Sequence, residues 1–369
     1  MAVLSDAQRE AGWTIAKLGD IVTCLDHLRQ PIKGLDRVPG PYPYYGASGV
    51  VDYIDQYAID GKYLLISEDG ENLRSRSLPI AFYAVGKSWV NNHAHIISAS
   101  DSVMAYVKYV LNSHDVSAYL TGTTMPKLSQ KSMMLIDIPL PPQDILERIA
   151  GILGSLDDKI EANTRLIHIL SDYCVALVDS LKLFEGSRES TLGEIIAFSP
   201  KVKKPAGEEY QFIDMSSLPT MGPVPETISS KSSWNGAKFE NGDTLFARIT
   251  PCLENGKTAI AMGLGDEPAC GSTEFIVMRA NTPEQVILPY GIARCDKFRQ
   301  EAMSHMIGST GRQRVKWQDL ANIPVSVPSE SDMQKIEKSS DIFGYFEALR
   351  KENLQLAETR DALIKRLIG

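Results

Sequence analysis

Two loops gather the side chains best suited to chemistry with a polyanion. Gly308-Ser309-Thr310-Gly311-Arg312-Gln313-Arg314-Val315-Lys316 combines two glycines, which let a backbone approach a phosphate, with hydroxyls that can donate to it and three alternating cations. In an extended segment Arg312, Arg314 and Lys316 project from one face, with Thr310 beside them. Arg312 and Arg314 also carry the fork that matches the two acceptors of guanine. Gly122-Thr123-Thr124-Met125-Pro126-Lys127, with Lys131 beyond it, repeats the theme earlier in the chain and puts Thr124 and Lys127 forward. Further cations cluster at Lys201, Lys203 and Lys204, at Arg74 and Arg76, and at Arg248 and Lys257 around a Gly/Asn/Pro-containing loop. Any one cluster reads equally well as a solvated loop; their recurrence at matching places in two halves favours contact with nucleic acid.

Catalytic signatures do not accompany these loops. The sequence has no Gly-x-Gly-x-x-Gly, and Gly61-Lys62 and Gly256-Lys257 lack the earlier glycine of a phosphate loop. There is no Gly-x-Ser-x-Gly elbow and no His-Glu-x-x-His. The tetrapeptide of an amino-methyltransferase is missing as well, since Pro141-Pro142 is flanked by Leu140 and Gln143. His93 and His95 would share one face of a strand and offer two metal ligands, but no third with metal spacing is evident, so a structural role is favoured. Five cysteines (Cys24, Cys174, Cys252, Cys270, Cys295) are odd in number and far apart, which excludes a disulfide framework and a Cys-x-x-Cys site. No catalytic or metal-binding residue is assigned.

The elements that must position the basic loops follow from an internal repeat. The chain has 369 residues, enough for two or three domains. Leu18-Gly19-Asp20-Ile21-Val22 is echoed by Leu192-Gly193-Glu194-Ile195-Ile196, Gly61–Leu65 by Gly242–Phe246, Gly122-Thr123-Thr124 by Gly308-Ser309-Thr310, and Ile138-Pro139 by Ile323-Pro324. After each Ile-Pro the character changes. From 143 to 186 proline is absent, and Ile145, Ile149, Ile152, Leu156, Ile160, Asn163, Ile167, Leu170, Cys174, Leu177, Leu181 and Phe184 recur at steps of three and four. That stripe predicts one long helix capped at Gly186. A second stripe, Ile342, Phe346, Leu349, Asn353, Leu356, Arg360, Leu363 and Leu367, predicts another from about Ser331. Packing of each helix on its own domain is the plainer alternative; their length favours a mutual antiparallel coiled coil, in which Asn163 and Asn353 either fix register or simply lie at the edge of the stripe.

Between the helical tails, β-rich runs such as Tyr63–Ile66, Ile80–Val85 and Phe275–Met278 are broken by Gly, Pro and Asn, with helices predicted near 102–111 and 289–305. The expected class is α+β: two similar mixed domains, 1–142 and 187–328, and two long helices, 143–186 and 329–369, related by a pseudo-two-fold repeat. Net charge is −8, of which the short segment 143–186 carries −4, leaving both domains nearly neutral and able to present a basic face. No apolar run is long enough to cross a membrane and no signal peptide is visible, so a cytoplasmic location is expected.

This organisation resembles the specificity subunit of type I restriction-modification enzymes. The resemblance rests on Leu18-Gly19-Asp20, Asn91-Asn92-His93-Ala94-His95, Gly122–Ser129, Ile138-Pro139-Leu140-Pro141-Pro142 and Leu156-Asp157-Asp158-Lys159-Ile160-Glu161-Ala162-Asn163 in the first half. In the second half it rests on Phe246–Lys257 and Gly271–Phe275; Val325–Ser329 departs by losing the paired prolines, which blurs the start of the second helix. The resemblance implies a non-catalytic subunit in which 1–142 and 187–328 are target-recognition domains, each reading half of a bipartite, asymmetric double-stranded DNA site. It implies two methyltransferase subunits that use S-adenosylmethionine to methylate adenine, and in cleaving complexes two restriction subunits that use ATP and magnesium. The contrasting expectation is a protein-only coiled-coil scaffold joining two ligand-binding domains.

Overall fold

The computed structural model describes residues 3–186, 189–309 and 311–369; Thr310 of the second basic loop lies outside them. The chain divides into two compact units, one comprising residues to Asp158 with Leu356–Gly369, the other Lys159–Gln355. This partition cuts across the four-segment division expected from the sequence, because each long helix contributes one half to each unit.

In the first unit the strands are β1 (Thr14–Lys17), β2 (Thr23–Cys24), β3 (Pro39–Gly46), β4 (Gly49–Ile54), β5 (Lys62–Ser67), β6 (Ala81–Val85), β7 (Trp89–Val90), β8 (Ala94–Ser98) and β9 (Asp137–Leu140). They form a two-stranded pair β1-β9, a four-stranded sheet β2-β8-β5-β6 and a three-stranded sheet β4-β3-β7. β5 supplies Leu64, Leu65 and Ile66, all fully buried, as a central strand should. The Asp101–Ser113 helix, capped by Ser100, lays Tyr106, Val107, Val110 and Leu111 into the same core.

The second unit has β10 (Ser190–Thr191), β11 (Ile196–Phe198), β12 (Tyr210–Ile213), β13 (Ser229–Lys231), β14 (Ala237–Phe239), β15 (Thr244–Ala247), β16 (Thr258–Ile260), β17 (Ala269–Gly271), β18 (Phe275–Ala280) and β19 (Pro324–Val325). Its sheets, β10-β19, β11-β18-β15-β16 and β13-β12-β17-β14, repeat the first topology with one more strand in the last. Both units share a parallel pair in the small sheet, β3 with β7 and β12 with β17. The two Leu-Gly-acid-Ile motifs form the same capped turn: Asp20 and Glu194 each accept from the backbone N–H three residues earlier. Leu18 N–H donates to Ile136 O and Leu192 N–H to Ile323 O, both at 2.9 Å.

The helices depart from the expected lengths. The first runs Gln143–Ser180, about 57 Å at 1.5 Å per residue, and stops short of Gly186. Leu181 and Leu183 turn into the core of the second unit and Lys182 takes a left-handed φ of 52°. The second tail is two helices, Glu330–Lys338 and Asp341–Leu367, parted at Ser339-Ser340, where the Ser339 hydroxyl donates back to Lys335 O. The helix expected at 289–305 likewise breaks at Cys295, into Leu288–Arg294 and Asp296–Ser304.

Within the second unit the two long helices run antiparallel. Asn163 is buried and its Nδ2 donates to Asn353 Oδ1 at 2.9 Å and Glu352 Oε2 at 2.8 Å, while Ile167, Leu170 and Leu177 share a core with Ile342, Phe346 and Leu349. That core is the domain's own, since Val178 and Cys174 pack so closely on Gly291 that a Cβ there would lie 2.4 Å from Val178. In the first unit Ile149 is buried with Leu146 and Leu153, against partly buried Leu363, Ile364 and Leu367. Leu156, Ile160 and Leu356 are half-buried. Ile152 is 39% exposed and leaves the predicted seam; Leu153 takes its place, because the helix face turned to the domain is set by the core as well as by the other helix.

Candidate nucleic-acid interface

Each unit carries a glycine-led loop closed in the same way and anchored on the same strand end. In the first unit Thr121 and Lys127 exchange backbone hydrogen bonds at 2.8 and 2.7 Å, and Gly70 N–H and Leu128 N–H meet Pro126 O and Glu68 O. In the second, Ile307 and Arg314 exchange bonds at 2.9 and 3.0 Å, and Thr250 N–H and Val315 N–H meet Gln313 O and Arg248 O. Glu68 and Arg248 follow β5 and β15, so they occupy one structural position, as do Lys127 and Arg314. The glycines are needed: Gly122 has φ +84°, with Met125 O only 2.3 Å from where a Cβ would stand, and Gly308 has φ +140°.

Charge at these positions is arranged differently in the two units. Lys127 Nζ lies 2.9 Å from Glu68 Oε1, and Glu68 also meets Arg29, which pairs with Asp26 at 3.0 Å. Asp26 faces His95 Nδ1 at 2.6 Å, and His95 Nε2 faces Leu128 O at 2.8 Å. Burial pushes both carboxyls up, but hydrogen bonds from His95 to Asp26 and from Arg29 to Glu68 outweigh it, and both titrate below their usual range. Asp26, Glu68 and His95 bring ligand atoms within 4.8 Å of one another, a set that spacing alone does not reveal. Arg29 and Lys127 already supply the positive charge those carboxylates need. His93 and His95 do not share a strand face, because His93 lies in the turn before β8 and faces Asp69 at 2.8 Å.

The second unit gathers two guanidinium groups on one carboxylate. Arg314 donates from Nε and Nη2 to Glu274 at 2.8 to 3.0 Å, and Arg248 Nε donates to Glu274 Oε2 at 3.1 Å. The Arg314 hydrogen bonds hold the Glu274 carboxyl below its usual range and raise the Arg314 guanidinium in turn. Sequence reasoning singled out both arginines and missed Glu274, whose one visible signal was its place in Gly271–Phe275.

Other candidates fall into two groups. Thr124, Lys131, Lys201, Lys203, Arg312 and Lys316 are exposed, and none of these cations has an ion-pair partner among the described residues. Lys204 is exposed, with its ammonium 5.1 Å over the Tyr210 ring. Arg76, Lys257 and Arg74 are committed elsewhere. Arg76 is half-buried and donates to Leu111 O and His114 O, finishing the Asp101–Ser113 helix, and burial lowers its pKa. Lys257 Nζ donates to Met215 O at 3.0 Å. Arg74 Nη2 donates to Gly122 O and Thr123 O at 2.9 and 3.2 Å, so it holds the basic loop from within. An arginine's reach lets it stabilise a neighbouring loop as readily as a ligand, and sequence cannot separate the two.

Residues 10–170 match the type I restriction modification DNA specificity domain. A putative type I restriction enzyme specificity subunit of Haemophilus influenzae is 33% identical over 141 residues, 38% of this chain and 36% of that protein. The chain thus aligns with little more than a third of that relative's length. A type I restriction enzyme specificity subunit of Methanocaldococcus jannaschii is 21% identical over 96% of this chain and 92% of its own. Among solved structures, a type I restriction-modification S subunit from M. genitalium shares the fold, with TM-score 0.57 and 16% identity over 97% of this chain and 96% of that one. Residues 10–170 thus carry a match to the specificity domain, and the chain as a whole, with its repeat, paired helices and basic loops, is similar to type I restriction-modification specificity subunits in sequence and in fold.

Proposed function

We propose that this chain is the DNA-reading subunit of its complex, with each unit reading one half of a bipartite, asymmetric site. The observation that carries this reading is the paired loop: the same topology twice, each copy ending a central strand beside a glycine-led, cation-bearing hairpin. Exposed Lys131, Lys201, Lys203, Arg312 and Lys316 neutralise phosphates, which supplies affinity, while the loops reach base edges, which supplies sequence. Half-sites met on one face of B-DNA lie roughly 34 Å apart, and the length of the helices sets the unread spacer.

The chain itself supplies no catalytic group. Two methyltransferase subunits dock along the helices, where Leu166, Ile169 and Tyr173 are exposed apolar positions at steps of three and four. They bring S-adenosylmethionine and extrude one adenine per half-site, and restriction subunits, where present, bring ATP and magnesium.

The test is the adenine methylome of cells making this chain with its methyltransferase, against cells lacking only this chain. A bipartite methylated motif that vanishes with the chain is expected. An unchanged methylome, with both proteins folded, sinks the reading. Binding insensitive to any polynucleotide would instead favour the protein-only scaffold.

A further inference from the structure

Arg314 stands apart from the other cations of the two loops in how its guanidinium is held. The group has two edges that can each make paired hydrogen bonds, a side edge (Nε and Nη2) and an end edge (Nη1 and Nη2). Glu274 takes the side edge, through both of its oxygens. Nη1 makes no hydrogen bond among the described residues, and the side chain is 40% exposed. The backbone is fixed too, by the exchange with Ile307 and the bridge to Ile249. Charge adds to the geometry: Arg248 shares the same carboxylate, so two cations on one anion leave the cluster one positive charge in excess.

A guanidinium fixed on one edge and open on the other suits a rigid pair of acceptors. Guanine offers O6 and N7 on its major-groove edge at that spacing. A phosphate also accepts a fork, but a flexible ammonium holds it too, whereas the guanine edge presents its two acceptors in one fixed plane, which a guanidinium aimed in advance matches. The equivalent position of the first unit makes the contrast, for Lys127 has a point charge and no fork, and its partner Glu68 is tied into the Asp26–Arg29–His95 network. Arg312 has the fork but no carboxylate to orient it among the described residues.

We propose that Arg314 reads a guanine through its end edge, with Glu274 as the positioning residue that aims it. This rests on the reading of the chain as a DNA-recognition subunit and names the base chemistry of one half-site. The half-site read by the second unit therefore contains a G·C pair whose recognition depends on both residues, and Lys127 sets no base in the other half.

The experiment compares methylomes from cells making the full-length chain, or its R314K, E274Q or K127A variant, with the same methyltransferase. R314K keeps the charge and removes the fork; it should let one G·C position, in one half of the motif, accept other bases, with discrimination falling roughly tenfold or more. E274Q should relax that same position to a lesser degree, and K127A should relax none. Melting temperatures near that of the parent chain, with full specificity in the untouched half, show that the variants are folded. If R314K lowers methylation evenly while every position stays as selective as before, Arg314 holds a phosphate and the proposal is overturned. If E274Q leaves the R314K-sensitive position untouched, the positioning role falls. Should the parent chain confer no motif at all, both this inference and the DNA-reading function fail together.

Discussion

Asp157 shows how one carboxylate can organise a junction. It accepts from Lys108 Nζ at 2.6 Å, Tyr109 Oη at 2.7 Å and Arg360 Nη1 at 2.9 Å, joining the first long helix, the Asp101–Ser113 helix and the terminal helix within the first unit. Burial raises its pKa, but the Lys108 and Arg360 hydrogen bonds prevail and it titrates below the ordinary carboxylate range. A depressed acid stabilises fully above its unfolded value and loses that contribution as pH falls through its folded one. Unfolding of the first unit should therefore ease progressively below about pH 4. D157A leaves two cations without their anion and should cost about 2 kcal/mol, between an exposed and a buried pair, measured by denaturant titration at neutral pH. At low pH the two proteins should converge; a constant gap would refute the ionic account. The sequence marked Asp157 through its run with Asp158 and Lys159, but its partners lie in distant segments and no spacing rule connects them.

At the scale of elements, the long helices were legible in outline and not in detail. Steps of three and four identify a buried face, yet a helix that packs on both a domain and another helix buries a broader face than a two-residue seam. That is why Leu153 and Ser171 are buried while Ile152 is exposed. The ends were unreadable for another reason: Leu181 and Leu183 are drawn into the core of the second unit, so tertiary packing rather than Gly186 stops the helix. The asparagine pair is the sharper feature. N163L alone strands the Glu352 and Asn353 groups that now receive its hydrogen bonds, and should cost about 1–2 kcal/mol. Replacing both asparagines, N163L/N353L, should recover that loss in thermal melts. A double variant no more stable than the single would show that the pair does not act as a unit.

Across the whole molecule the repeat was the clearest message of the sequence, because four echoes keep one order. Their structural counterparts are the capped Leu-Gly-acid-Ile turns, β5 and β15, the hairpins, and the pairs β1-β9 and β10-β19. Side-chain roles were less legible: equivalent backbone positions hold Glu68 in one copy and Arg248 in the other, so homology of fold did not transfer chemistry. If helix length sets the spacer, seven residues added to each long helix, after Asp158 and before Leu356, extend it by about 10 Å. The methylated motif should then gain roughly three base pairs between unchanged half-sites. An unchanged spacer would detach helix length from site geometry.

The first unit is assembled from both ends of the described chain. Leu4, Trp13 and Ile368 belong to one hydrophobic core, while the second unit is a single uninterrupted stretch, Lys159–Gln355. During translation, then, the order of synthesis and the order of completion are reversed. Residues to Asp158 emerge first, but their core stays open until residues 356–369 leave the ribosome, by which time every residue of the second unit has been made. The half begun first is thus the last to receive all of its residues, and any early stop in the terminal helix leaves apolar surface uncovered there.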